Sequence, residues 1–176
     1  LKGFLFDLDG QALTPTYTNK SEKAADGSKA RKRYRYYVSQ QAIRQGYGSS
    51  PLKTLSAPLL EDAVRRILVH ALPGLAECVP PEELSAGEIR HRLGMHAERL
   101  ARIDAPLEYV KWLSDVVPRI VVGPGTLDIH LPRESLEKLV ASPPEDVGDP
   151  PSLPPPIPTT VTWEGDRAVL SAKISF

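Results

Sequence analysis

The feature that most constrains this chain is the run Arg31-Lys32-Arg33-Tyr34-Arg35-Tyr36-Tyr37-Val38. From Arg33 to Val38 it alternates with a period of two, the signature of a β-strand. Arg31, Arg33, Arg35 and Tyr37 fall on one face, and Tyr34, Tyr36 and Val38 on the other. The second face is expected to pack on Phe4 and Phe6 of an earlier strand, read over residues 3–9 and ending in an Asp9-Gly10 turn. The first face then carries three guanidinium groups in a row, roughly 7 Å apart, which repel one another unless an anion lies opposite.

Charge distribution extends that reading. The 22 Lys and Arg balance 22 Asp and Glu over the whole chain. Residues 1–50 nevertheless hold nine basic residues against four acidic ones, and five of the six tyrosines. A basic, tyrosine-rich end on an acidic body points to an anionic partner. Hydrophobic residues at 41% and charged residues at 25% are globular usage, which excludes a fully disordered chain of 176 residues. No apolar run is long enough to cross a bilayer. The single cysteine, Cys78, excludes a disulfide framework and a four-cysteine zinc site. The chain starts at Leu1 with no Met, which suggests a piece of a longer protein.

The expected class is α+β: a small antiparallel hairpin, helices and a further hairpin. Residues 1–50 form the basic segment, with 14–30 read as a long polar loop. Residues 45–51 read as a linker. Within 51–140, a helix opens at Pro58, a second follows the capping-box spacing Ser85 to Glu88, and a third is capped by Asp104. A hairpin occupies 119–131, and a short helix starts at Pro132. Residues 141–158 hold eight of the 18 prolines and are expected to be an extended linker. Residues 159–176 read as a last strand pair.

Phe4-Leu5-Phe6-Asp7-Leu8-Asp9-Gly10 is similar to the opening motif of the haloacid-dehalogenase-like phosphatases, in which the first Asp attacks phosphate and Mg²⁺ is bound. That chemistry also needs a later Lys and a further acidic pair after an apolar strand. Neither a paired-acid strand nor a βαβ alternation follows here, so a simple Asp-Gly turn is the preferred reading.

Taken together, the segments Leu1–Leu13 and Arg33–Ser39 resemble the zinc-ribbon region of the large serine site-specific recombinases. That region has a glycine-apolar strand, a basic loop and a Tyr-x-Tyr-Tyr strand. The cysteines are absent: Phe6 and Asp9 stand where the first pair would be, and Ser39 is near a later ligand position. The likeness therefore implies a zinc-ribbon-like segment without metal, and no cofactor is expected. More loosely it extends through 57–140. It implies a DNA-binding C-terminal part of a recombinase whose catalytic serine lies in a separate N-terminal domain. It also implies self-association as dimer or tetramer, and a bacterial cytoplasmic, nucleoid-associated setting. On this reading double-stranded DNA meets Lys20, Lys23, Lys29, Arg31, Lys32, Arg33, Arg35, Tyr37 and Arg44, with Asn19 or Gln40 as further base readers. Three to five phosphate contacts give a log–log salt slope of about −3 to −5. The alternative is a protein–protein assembly module whose basic end is incidental.

The other polar motifs carry little. Glu88-x-x-His91 lacks the second copy that a carboxylate-bridged metal site needs. Cys78 has no basic neighbour in sequence to activate it. Tyr109 and Trp112 are expected in the core.

Overall fold

In a computed structural model, residues 1–23, 29–46, 52, 54–80, 83–145 and 152–175 are described. Among these residues, two sheets and five α-helices confirm the α+β class. Strand β1 (Leu5–Asp7) runs parallel to β5 (Arg119–Gly123), which forms a hairpin with β6 (Thr126–Pro132). A second hairpin, β7 (Thr159–Glu164) and β8 (Arg167–Lys173), adds through β8 to give the order β1-β5-β6-β8-β7. The β5–β6 turn places Pro124 before Gly125 at φ 77°, a backbone region that glycine enters without a Cβ clash.

Alternation decides which side of this sheet is buried. Leu5, Ile120, Val122, Leu127, Ile129, Leu131, Ala168 and Leu170 point to one side and are buried. Helix α2 (Ala57–Ala71), a 3₁₀ segment Leu72–Cys78, and helices α3 (Ala86–Arg102), α4 (Pro106–Val116) and α5 (Arg133–Ala141) contribute to the same core. Their apolar residues recur at three and four positions, as in Leu60, Ala63, Val64, Ile67 and Leu68 of α2. Ser85 caps α3, its Oγ accepting from the Glu88 backbone N–H at 3.1 Å. Helix α4 departs from expectation: its N-cap is Ala105 with no side-chain cap, and Asp104 is not used.

The helices are joined at their carbonyl ends, which carry unpaired acceptors. Arg65 of α2 donates to the carbonyls of Leu100 and Ile103 at the end of α3. Arg92 of α3 donates to Val140 O at 3.0 Å, and His96 Nε2 to Leu139 O at 2.9 Å, at the end of α5.

A second sheet carries the basic end. Strands β2 (Leu13–Lys23) and β3 (Lys29–Ser39) pair antiparallel over their full length, and β4 (Leu55–Ser56) joins β3 only at Tyr36 and Tyr37. Three expectations are corrected here. Residues 13–23 are strand rather than loop, because Thr14, Thr16 and Tyr17 suit a pleated surface and gain a partner in β3. Residues 24–28 lie outside the described ones. The β3 face bearing Tyr34 and Tyr36 does not cover Phe4 and Phe6, because β1 pairs with β5 in the other sheet. A short helix α1 (Gln40–Gln45) also follows β3 where nothing was expected.

The segments expected as separate units share one core. Strands from residues 1–50, 51–140 and 159–176 form the five-stranded sheet together. The described proline-rich residues are held as well: Arg66 Nε donates to Pro155 O at 2.8 Å, and His70 Nε2 to Pro154 O at 2.6 Å, both from α2. The supposed linker residues 47–51 and 146–151 lie outside the described residues. Among the described residues no helix is long and apolar enough to cross a membrane.

A buried polar clasp joins the two sheets. Asp7, at the end of β1, is 2% exposed. Its Oδ1 accepts from the Gln11 backbone N–H at 2.7 Å, and its Oδ2 from Ser39 Oγ at 3.2 Å. Ser39 Oγ also accepts from the Gln41 N–H, capping α1. A buried carboxylate loses heavily when a donor is removed. Ser39→Ala is therefore expected to cost about 2 kcal/mol in urea unfolding, more than an isolated cap. Burial also lowers the His96 imidazole below its usual range. The unfolded chain then takes up the proton first, so the stabilisation is full above about pH 6.5 and falls as the pH drops further. Replacement by Gln should flatten that acid limb in pH-dependent unfolding, and an unchanged limb would show that His96 does not contribute.

Candidate nucleic-acid interface

The β2–β3 pair is built as a ribbon standing on an anchored base. At the base, Tyr37 is buried and its hydroxyl donates to Glu61 Oε1 at 2.9 Å. Arg35 Nη2 bonds Glu61 Oε2 at 2.9 Å. Glu61 sits on α2, and its backbone carbonyl accepts from Tyr109 of α4 at 3.3 Å. The Glu61 carboxylate thus fixes the ribbon to α2, and its backbone carbonyl ties the same turn to α4.

Among the described residues, the ribbon beyond its base has two strands, β2 and β3. Residues 15–21 of β2 and 31–33 of β3 are exposed. Directly paired residues share a face. One face therefore holds the pairs Ser21 with Arg31, Asn19 with Arg33, and Tyr17 with Arg35. The opposite face holds Lys20 with Lys32, Thr18 with Tyr34, and Thr16 with Tyr36. The Arg33 guanidinium lies 3.9 Å from the Tyr17 ring centroid, close stacking that fixes a long side chain. On the other face Lys20 and Lys32 lie 5.7 and 5.3 Å from the Tyr34 ring centroid.

The expected contact residues separate on this frame. Lys20, Arg31, Lys32 and Arg33 share the exposed length of the ribbon. Lys23 pairs with Lys29 by backbone at its far end, and their side chains lie outside the described residues. Arg44 is exposed on α1, beside a polar cleft of about 350 Å³ lined also by Asp9, Gln11, Gln40, Gln41 and Gln45. Two expectations are corrected. Tyr37 is 2% exposed and holds Glu61, so it offers no surface to a ligand. Arg35 is half-exposed but tied to Glu61, so the row of three guanidiniums is not three equivalent contacts.

Tyr17 and Glu61 had no expected role. Tyr17 is legible only once 13–23 is read as a strand, since it then lies two residues from Asn19 on the same face. Glu61 had no signal, because its partners lie 24 and 26 residues earlier.

The phosphatase-like motif is accounted for differently. Asp7 Oδ1 holds the chain reversal, where Gly10 N–H also donates to the Asp7 carbonyl at 3.0 Å, and Oδ2 accepts from Ser39 of β3. The sheet is antiparallel apart from the β1–β5 pair. Among the described residues no three His, Cys, Asp or Glu side chains gather to hold a metal ion.

Burial, and then the facing Glu61, push the Tyr37 hydroxyl well above its usual range; burial does the same to Tyr109. The unfolded chain releases these protons first, so stability is full below about pH 10 and falls as the pH rises beyond it. In a spectrophotometric titration two of the six tyrosines are expected to ionise only as the chain unfolds. Compared with family models, with curated proteins and with solved structures, the chain gives no match.

Proposed function

We propose that this chain is a DNA-binding, C-terminal part of a serine site-specific recombinase, recognising the recombination site while catalysis resides in an N-terminal domain. The observation that carries the reading is the exposed two-stranded ribbon whose length bears Lys20, Arg31, Lys32 and Arg33. Such a ribbon has dimensions that a DNA groove admits, and its cations suit phosphate contact. The resemblance of Leu1–Leu13 and Arg33–Ser39 to the zinc-ribbon region supplies the family. In this reading the Asp7–Ser39 clasp does the work that zinc does in cysteine-bearing relatives.

The reading also places the protein on the bacterial nucleoid in the cytoplasm, and assigns it self-association through the rest of the recombinase. The assembly-module alternative is favoured by one observation: Leu59 and Leu107 are exposed, at 57% and 82%, near the starts of α2 and α4.

The test is affinity for duplex DNA across a salt series. Arg31→Ala with Arg33→Ala is expected to weaken binding and to reduce the magnitude of the salt slope by about 2. Arg35→Ala should lower folding stability more than it alters the slope, because Arg35 is held by Glu61. Unchanged affinity and slope in the double variant would reject the DNA reading.

A further inference from the structure

We infer that β7 is the interface of a two-fold homodimer, in which the outer edge of the five-stranded sheet pairs antiparallel with the same strand of a second copy. This goes beyond the DNA-binding reading, which places self-association in the rest of the recombinase, and does not depend on it. An edge strand leaves one row of backbone N–H and C=O groups without a strand partner. Such edges pair with other chains unless they are short, charged, interrupted by proline or covered. Strand β1, at one edge of the sheet, has three residues, and Ala12 already bridges to Phe6. In the second sheet β2 carries Pro15, Lys20, Glu22 and Lys23, β4 has two residues, and β3 beyond β4 carries Arg31, Lys32 and Arg33. Strand β7 has none of these guards before its last residue. It runs Thr159-Thr160-Val161-Thr162-Trp163-Glu164, and among the described residues its ladder is with β8 alone.

This strand also has an apolar face that its own chain leaves half open. Directly paired residues share a face. Val161 lies opposite Leu170 and Trp163 opposite Ala168, both fully buried in the core. Val161 and Trp163 therefore lie on the helix-covered face, yet they are 43% and 37% exposed. The helical layer stops short of them, leaving an open groove of about 750 Å³ lined by His70, Gly74, Cys78, Ile157, Val161 and Trp163. Trp163 is already held in place there, because its Nε1–H donates to Cys78 Sγ at 2.8 Å and its ring lies 5.5 Å from the Arg133 guanidinium. The other face of the strand carries Thr160 and Thr162, both exposed.

Sequence and charge select a second copy as the occupant. In a two-fold antiparallel pair centred on Thr162, that residue faces the partner's Thr162, and Thr160 faces the partner's Glu164. Val161 then faces the partner's Trp163, twice by symmetry, and aromatic with β-branched pairs stabilise cross-strand contacts. No like charges meet, because Glu164 is the one charged residue of the strand. The apolar residues of both copies fall on the same side of the joined sheet, beside the groove, so one contact covers them and satisfies the free edge. Centring on Val161 instead sets Trp163 against the partner's Thr159 and loses both mixed pairs. The interface is the same patch on each copy and closes on itself, joining the two five-stranded sheets into one.

The experiment is sedimentation of the full chain over roughly 1–200 μM, a range in which small interfaces associate. The average mass is expected to rise with concentration from one copy toward two. Thr162→Lys and Thr162→Glu, each alone, set like charges face to face and are expected to weaken the dimer at least ~10-fold. An equimolar mixture of the two variants is expected to return to within ~3-fold of the unsubstituted chain, since its mixed pairs have opposite charges. Thr162 is exposed, so circular dichroism and thermal unfolding of each variant should match the parent. If either variant fails to fold, Val161→Thr takes its place; it keeps a β-branched residue, removes the apolar pair and is expected to weaken the dimer about 3-fold. A single copy at every concentration overturns the proposal and leaves the edge to a strand of another sequence. A dimer indifferent to these substitutions overturns it and assigns the contact to another face, such as that of Leu59 and Leu107. Two weakened variants whose mixture is not restored overturn the two-fold pairing. The salt slope of DNA binding, which tests the other reading, is independent of all these outcomes.

Discussion

The hydrogen bond between Asp7 and Ser39 is the constraint on which the arrangement depends. It joins the end of β1, in the five-stranded sheet, to the end of β3, in the ribbon sheet. The same serine oxygen caps α1, and the same carboxylate closes the turn into β2. Both groups are buried, so neither has water as a substitute partner. A two-stranded ribbon has too little apolar surface to hold its own orientation. Its direction is set at the base, by this clasp and by the Glu61 carboxylate that holds Tyr37 and Arg35.

That base also explains how a basic ribbon coexists with an acidic body. The cation at the base, Arg35, is matched by Glu61 on α2. Farther out the cations are placed over aromatic rings, Arg33 on Tyr17 and Lys20 near Tyr34, which accept positive charge without neutralising it. The ribbon therefore keeps its positive field while its long side chains are held in place. Under the recombinase reading, this is a hairpin in which hydrogen bonds and ring stacking replace a metal centre.

The body of the protein is assembled from distant pieces. β1 lies beside β5, more than 100 residues later, and the C-terminal hairpin completes the sheet through β8. Arginine and histidine side chains satisfy the carbonyl ends of neighbouring helices, so the helical layer is cross-linked by polar contacts as well as by its apolar core. The proline-rich stretch joins this layer because proline carbonyls remain good acceptors for Arg66 and His70 even though proline lacks a donor.

What the sequence determined by itself was local. The alternation of Arg33 to Val38, the capping spacing at Ser85, the 119–131 hairpin and the helix after Pro132 are all legible, because each depends on residues within a few positions. Three candidate cations were legible for the same reason, since Arg31, Lys32 and Arg33 are consecutive, whereas Lys20 comes beside Lys32 only through the β2–β3 register. Tertiary structure decided which of the alternating residues met which neighbour. Alternation says that Arg35 and Tyr37 share a face, but only the placement of α2 buries Tyr37 and neutralises Arg35. It also decided that the polar residues 13–23 are a strand, since their stability comes from cross-strand pairs with β3 and not from an apolar pattern of their own. Periodicity along one chain segment reports its shape, and the identity of its partner is set by packing between segments that lie far apart in sequence.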